Sequence, residues 1–288
     1  MKTALAAASV AAVNLAAPGR KGFPSDSGDP PAGIIDVNVN LSRWPMRRVR
    51  FDDTEGLASM LRRQGVTQAW AGSFDCLFHK DIGGVNARLA ADCSRAGKGL
   101  LVPFGSVNPK YPDWEEELRR CAEDHRMPGI RLHPNYHGYK LDDPDFLRLL
   151  RLAGERKLLV QIALIMEDRR MMHPQLHIEP TDPMPLIPLL KQMPGLRVVL
   201  LNALRVLEDK QIIDLAASGE VYFDIAMLDK FAALADLLTK VPANRVLFGS
   251  YAPLFYFEAA LLKLQESPFT AEQLKAIRNE NARRLLAA

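Results

Sequence analysis

The sequence predicts a (β/α)8 TIM barrel built on an eight-stranded parallel sheet, and three observations predict it. Eight short apolar runs alternate with stretches of helical length, the pattern of successive βαβ units. No Gly-rich phosphate turn follows the first run, as an open doubly wound sheet would lead one to expect. A chain of 288 residues also falls in the range that one such barrel fills.

Taken in order, residues 1–17 form an alanine-rich apolar run without an acid. It is too short for a stable transmembrane span, which needs about 20 apolar residues, but it has the form of a leader segment. The expectation is export, to the periplasm or beyond, if that leader is functional, and a cytoplasmic protein otherwise. Residues 18–32, rich in Gly, Pro, Ser and Asp, read as a flexible linker. Residues 33–288 read as the barrel domain. Its strands are expected at 33–39, 67–71, 100–106, 129–132, 158–162, 197–201, 221–225 and 245–249. Asp52 with Glu55 forms a capping box before Leu57, and Gly65 supplies the stop. Apolar spacing of helical period recurs at 114–122, 146–153, 187–193, 212–217, 231–238 and 257–264. Thr270 with Gln273 caps a last helix running through Ile277 and Leu285.

Composition narrows the function. The chain has 37 basic and 34 acidic residues, a net charge of +3, and the two signs are interleaved along helix-like segments. That is a solvated surface and not a nucleic-acid stripe, so the expected partner is a small molecule, with a homo-oligomer possible. Cys76, Cys93 and Cys121 are odd in number and lack a C-x-x-C spacing, which predicts buried or half-buried thiols.

In such a barrel the working groups project from the C-terminal strand ends and the loops beyond them. Those ends carry Asp36, Asn38, Asn40, Arg43 and Trp44; then His79; Arg131, His133 and His137; Glu167, Asp168 and His173; Asn202; Asp224; and Tyr251. Five of the six histidines lie at or just beyond them. As catalytic candidates we take His133, Arg131, Asp224, Tyr251 and His79. As substrate-binding candidates we take Asn38, Asn40, Arg43, Asn202, His137 and His173. Each has an alternative. The asparagines either satisfy one another or form a neutral cradle for a carboxylate, carbonyl or sugar. Tyr251 either packs with its hydroxyl tied down or donates into the site. Arg131 either clamps a substrate carboxylate or pairs with Asp224. Glu167 and Asp168 read as a solvated face or as partners of Arg169 and Arg170. His173 and His177 are four apart, but Pro174, Pro180, Pro183 and Pro185 make their segment an irregular loop.

The phrases Gly129-Ile130-Arg131-Leu132-His133-Pro134, Phe248-Gly249-Ser250-Tyr251-Ala252-Pro253 and Asn279-Glu280-Asn281-Ala282-Arg283-Arg284-Leu285 resemble the amidohydrolase-related barrels (amidohydrolase 2) over about residues 33–286. The resemblance implies a divalent metal held by an H-x-H pair on strand one, histidines after strands five and six, and an aspartate after strand eight. Here those positions hold Asn38 and Asn40, Ala163, Asn202 and Tyr251. Neutral amides are poor ligands for zinc and alanine is none, so the expectation is no bound metal and no cofactor.

Two functions follow. One is a hydrolase, lactonase or lyase on a small polar or carboxylated substrate, with Arg131, Tyr251 and the asparagines as oxyanion donors and His133 or His79 as general acid or base. The other is an inactive barrel kept for binding or interaction.

Overall fold

The computed structural model describes residues 33–287, so the expected leader and linker lie outside the described residues. Along the chain come β1 (Ile34–Leu41), α1 (Thr54–Arg63), β2 (Val66–Ser73), α2 (Ile82–Gly97), β3 (Leu101–Pro103), α3 (Trp114–Arg119) and β4 (Gly129–Leu132). There follow α4 (Pro134–His137), α5 (Pro144–Glu155), β5 (Leu159–Ala163), α6 (Leu186–Gln192), β6 (Arg197–Leu201) and α7 (Asp209–Ala217). The chain closes with β7 (Glu220–Asp224), α8 (Ala233–Lys240), β8 (Val246–Leu247), α9 (Phe257–Gln265), α10 (Ala271–Lys275) and α11 (Asn281–Ala287).

Every strand pairs in parallel with its sequence neighbours within two ladders, β1-β2-β3 and β4-β5-β6-β7-β8. Two narrow seams join the ladders into a ring, where Gly105 bridges Ile130 and Val39 bridges Ala252. Arg131 N donates to Gly105 O at 2.7 Å across the first seam, and Tyr251 N to Asn38 O at 2.8 Å across the second. This is the expected (β/α)8 barrel.

Period-2 alternation sets its layers. Ile130, Leu132, Val160, Ile162, Val198, Leu200, Val221 and Phe223 pack with Leu57, Leu89, Phe146 and Leu215 of the surrounding helices. The alternate positions Leu159, Ala163, Val199, Leu201, Tyr222 and Leu247 join Trp70 and Phe104 inside the ring. Burial on both faces is what parallel strands require, and each such side chain contributes about 1.5–3 kcal/mol of transfer free energy. All three cysteines are free and buried.

Several boundaries differ from expectation for local reasons. The α1 cap is Asp53, whose Oδ1 accepts Gly56 N at 2.7 Å, while Asp52 is ion-paired to Arg48. The stop at Gly65 stands, with φ at +78°, and both bonds of the Thr270–Gln273 capping box are present. Helix α2, at 16 residues, escaped the periodicity reading because Gly83 and Gly84 dilute its first turn; Asp81 nonetheless caps it, accepting from Gly84 N at 2.8 Å. The last helix is broken by a π-turn at 276–280. There Ile277 O accepts Phe248 N at 3.0 Å, and beside it Asn281 Nδ2 donates to Val246 O at 2.8 Å. The terminal asparagine-rich phrase thus fastens β8, which is itself only two residues long. Among the described residues no helix is long and apolar enough to cross a membrane.

Candidate active site

The site is built around a buried cation. Arg131 is 1% exposed, and all of its hydrogen bonds go to neutral acceptors. Its Nε donates to Gln161 Oε1 at 2.8 Å, Nη1 to Val39 O at 2.7 Å and Asn40 Oδ1 at 2.9 Å, and Nη2 to Val37 O at 3.2 Å and Trp70 O at 2.9 Å. The five N–H groups of a guanidinium are therefore all used. Burial brings its pKa down to about 10, against the opposing pull of the surrounding acidic groups. The room for it comes from Gly72, where a Cβ would lie 2.8 Å from Arg131 Cδ. The structure pairs Arg131 with neither Asp224 nor an open pocket: it laces β4 to β1, β2 and β5, which leaves no donor for a substrate carboxylate.

A second network spans the far wall. Asn38 Nδ2 donates to Asn202 Oδ1 at 2.9 Å and to Asp224 Oδ2 at 2.8 Å. Asn202, held in the left-handed region at φ 57°, directs its backbone N–H to Asp224 Oδ1 at 2.7 Å and its side-chain amide to Ile165 O at 2.8 Å. Asp36 accepts from the N–H groups of Asn38 and Ser250 at 3.1 and 3.0 Å and from the Ser250 hydroxyl. Burial pushes Asp36 up to about 7 and raises Asp224 above the ordinary carboxyl range. From α9, Lys263 caps the end of β7 by donating to Ile225 O at 2.9 Å, and burial brings its pKa down to about 8 despite the charge of Asp224.

The third group carries free valences. His133 is 1% exposed; its Nδ1 is 3.5 Å from Cys76 Sγ and, among the described residues, its Nε2 has no hydrogen-bond partner. Burial, with His137 and Arg131 adding to it, holds its pKa well below the usual imidazole range, so the ring is neutral at pH 7. His137 lies 6.0 Å away between ring centroids, with Nε2 on Cys76 O at 2.9 Å and Nδ1 unpartnered. Unpartnered buried atoms also occur on Asn40 (Nδ2), Trp44 (Nε1), Tyr136 (hydroxyl) and Glu167 (Oε2). All six side chains sit at or just beyond C-terminal strand ends.

Tyr251 closes the mouth. Its hydroxyl donates to Met166 O at 2.8 Å, its ring packs edge-on to Phe74 at 6.5 Å, and Phe74 packs edge-on to Trp44 at 5.1 Å. Its φ of 61° is a conformation that costs an aromatic residue about 1–3 kcal/mol. The hydroxyl is tied down and does not point into the site as a free donor.

The structure thus brings together Asn38, Asn40, Arg131, His133, His137, Asn202, Asp224 and Tyr251. It does not bring in His79, Arg43 or His173, which are exposed; a loop position several residues past a strand end is free to turn outward. Asp168 pairs with Arg170 and Arg205. Glu167 is not solvated: it is 2% exposed and pairs with Arg47. The candidates read from the sequence leave out Asp36, Trp44, Tyr136, Gln161, Glu167, Ser250 and Lys263, which the structure places in these networks. All but Lys263 stand at or just beyond a strand's C-terminal end in the sequence, and that placement was their signal.

Comparison with known proteins places the chain. It belongs to the Amidohydrolase family, whose profile matches residues 41–287. Among solved structures it is similar to 5-carboxyvanillate decarboxylase from Sphingomonas paucimobilis, at TM-score 0.69 and 12% identity, covering 89% of this chain and 99% of that one. It is likewise similar to 2,6-dihydroxybenzoate decarboxylase from Rhizobium, at TM-score 0.67 and 14% identity, covering 88% and 98%. A third is dihydroxybenzoic acid decarboxylase from Polaromonas sp. JS666, with bound manganese and the inhibitor 2-nitroresorcinol, at TM-score 0.69 and 12% identity, covering 88% and 97%. A search of curated proteins finds no match.

The expectation that no cofactor belongs here is corrected by that manganese: a divalent metal is part of this family's equipment. The residues at the implied ligand positions nevertheless do not fit such an ion. Asn38 and Asn202 are committed to Asp224 and Ile165, Tyr251 to Met166, and Ala163 offers no ligand. Among the described residues no group of three or more His, Cys, Asp or Glu is placed to hold one.

Proposed function

We propose that this chain is a lyase of the decarboxylase type, or a related hydrolase, acting on a small carboxylated aromatic substrate at the mouth of the barrel. The observation that carries the reading is the set of buried, unpartnered polar atoms on Asn40, Trp44, His133, Tyr136, His137 and Glu167. Buried polar groups are ordinarily satisfied, and a ligand with hydroxyl and carboxylate groups supplies the missing partners. Several of the similar structures are decarboxylases of carboxylated aromatics, which supports an enzyme over an inactive barrel.

Decarboxylation breaks the ring-to-carboxylate bond, leaves the electron pair on the ring carbon, releases CO2 and replaces it with a proton. The apolar wall of Trp44, Phe74 and Tyr251 strips water from the carboxylate, which favours the neutral product. His133, neutral and open at Nε2, can accept the proton of a substrate ring hydroxyl at that atom and return it to the ring carbon as CO2 leaves. Tyr136 and Trp44 are donors for ring hydroxyls, and Arg131 keeps β1 and β4 in register beneath them.

The experiment is CO2 release from a panel of hydroxybenzoates and carboxyvanillates, beside lactones and amides, with manganese supplied. Wild-type turnover of a carboxylated aromatic, and its loss in His133→Asn at an unchanged melting temperature, is expected. Turnover confined to lactones or amides, or full activity in His133→Asn, would overturn the reading.

A further inference from the structure

Beside the mouth, the loop after β1 and the loop after β8 enclose a groove of about 500 Å³ lined by Arg47, Arg48, Arg50, Arg63, Phe255 and Tyr256, among others. Two of its guanidiniums are already paired, Arg47 with Glu167 and Arg48 with Asp52. Arg50 instead lies over the Phe51 ring, its Cζ 4.7 Å from the centroid, and Arg63 donates to the Ser59 hydroxyl at 2.7 Å. Among the described residues no carboxylate forms an ion pair with either. The acid on the lining, Glu258, accepts from Gln64 at 2.8 Å.

Apolar surface accompanies these cations. Tyr256 is 72% exposed and Met171, also on the lining, is 59% exposed. Guanidinium groups that lack a counter-ion, set beside exposed aromatic surface, match a ligand that is a carboxylate at one end and a flat ring at the other. The volume suits a small molecule and is too small for a folded partner or an extended peptide.

We propose that this groove is a docking subsite for the aromatic carboxylate, with Arg50 and Arg63 taking the carboxylate and Tyr256 and Phe255 taking the ring. The identity of that ligand rests on the function proposed above. Two contacts couple the groove to the closed mouth. Arg47 lines the groove and bonds the buried Glu167, and Phe255 packs on Tyr251 with ring centroids 5.5 Å apart. An occupant carboxylate competes with Glu167 for Arg47, and an occupant ring presses on the residue that plugs the barrel.

The test is calorimetric titration of benzoate, and of its uncharged isostere benzamide, into the full chain and into Arg50→Gln/Arg63→Gln. Benzoate is expected to bind the wild type, to lose about tenfold in affinity in the double variant, and to weaken with added salt as exposed charges are screened; benzamide is expected to bind far more weakly. Equal benzoate affinity in both proteins, or benzamide binding as tightly as benzoate, overturns the proposal. Should the double variant fail to fold, Arg50→Gln and Arg63→Gln are read singly by the same criterion. Turnover separates the two proposals. An unchanged KM in the double variant removes the subsite and leaves the reaction standing. Arginine-dependent benzoate binding without turnover of any carboxylated aromatic removes the reaction and leaves the subsite.

Discussion

Asn38 Nδ2 lies 2.8 Å from Asp224 Oδ2 and joins β1 to β7 across the barrel mouth. Asn38→Leu leaves a wholly buried carboxylate short of a donor, along with Asn202 Oδ1. The expected loss is about 2–3 kcal/mol of unfolding free energy, measured by urea denaturation. A loss under about 0.5 kcal/mol would show that water replaces the amide there.

Asp36 links stability to pH. Its pKa rises from 3.8 when unfolded to about 7 when folded, chiefly by burial, so between those values the folded state holds the proton that the unfolded state has released. The stability this confers is full below about pH 4 and is lost as pH climbs through 7. Asp36→Asn removes this dependence: relative to wild type it should gain stability on the order of a few kcal/mol as pH goes from 4 to 8. Parallel stability curves for the two proteins would contradict the assignment.

Gly72 exists for Arg131. A Cβ at that position sits 2.8 Å from both Cδ and Nη1 of the arginine, which cannot swing away without dropping carbonyls of β1 and β2. Gly72→Ala should cost about 2–3 kcal/mol, seen as a lowered melting temperature. Gly65→Ala, in open space but at φ +78°, should cost only about 1 kcal/mol.

Tyr251→Phe removes the bond to Met166 O and keeps the ring. The expected cost is about 1 kcal/mol, with faster amide hydrogen exchange confined to the loop after β5. Unchanged exchange there would mean that ring packing alone holds the plug.

The barrel was legible because period-2 burial, helix caps and stop glycines are local signals, and the strand order of a barrel follows the chain. Strand ends therefore named most of the clustered residues. What the sequence could not carry was direction and distance. Three of the five acceptors of Arg131 are backbone carbonyls, which every sequence has, and so most of its cage left no mark. Glu167 resembled a surface acid because Arg169 and Arg170 stand near it in sequence, whereas its partner, Arg47, is 120 residues away. His79, Arg43 and His173 show the converse: proximity to a strand end in sequence does not turn a side chain inward. The expectation of no cofactor set ligand identity at five positions above the divalent metal that the resemblance implies, and the manganese in a similar barrel corrects that weighting.

The wall of this barrel is unevenly strong. The ring is completed where Gly105 meets Ile130 and Val39 meets Ala252, with two backbone hydrogen bonds across the first seam and three across the second. The wall is thus a ladder of three strands and a ladder of five meeting along two joints. Arg131 spans the first joint and Tyr251 the second, so the residues that crowd the active face are also its rivets. If the proposed substrate enters at the mouth, its admission and the integrity of the ring draw on the same few hydrogen bonds. Substitutions that speed access to the mouth therefore loosen the shell, and variants selected for rigidity at the joints will be slow to admit a ligand.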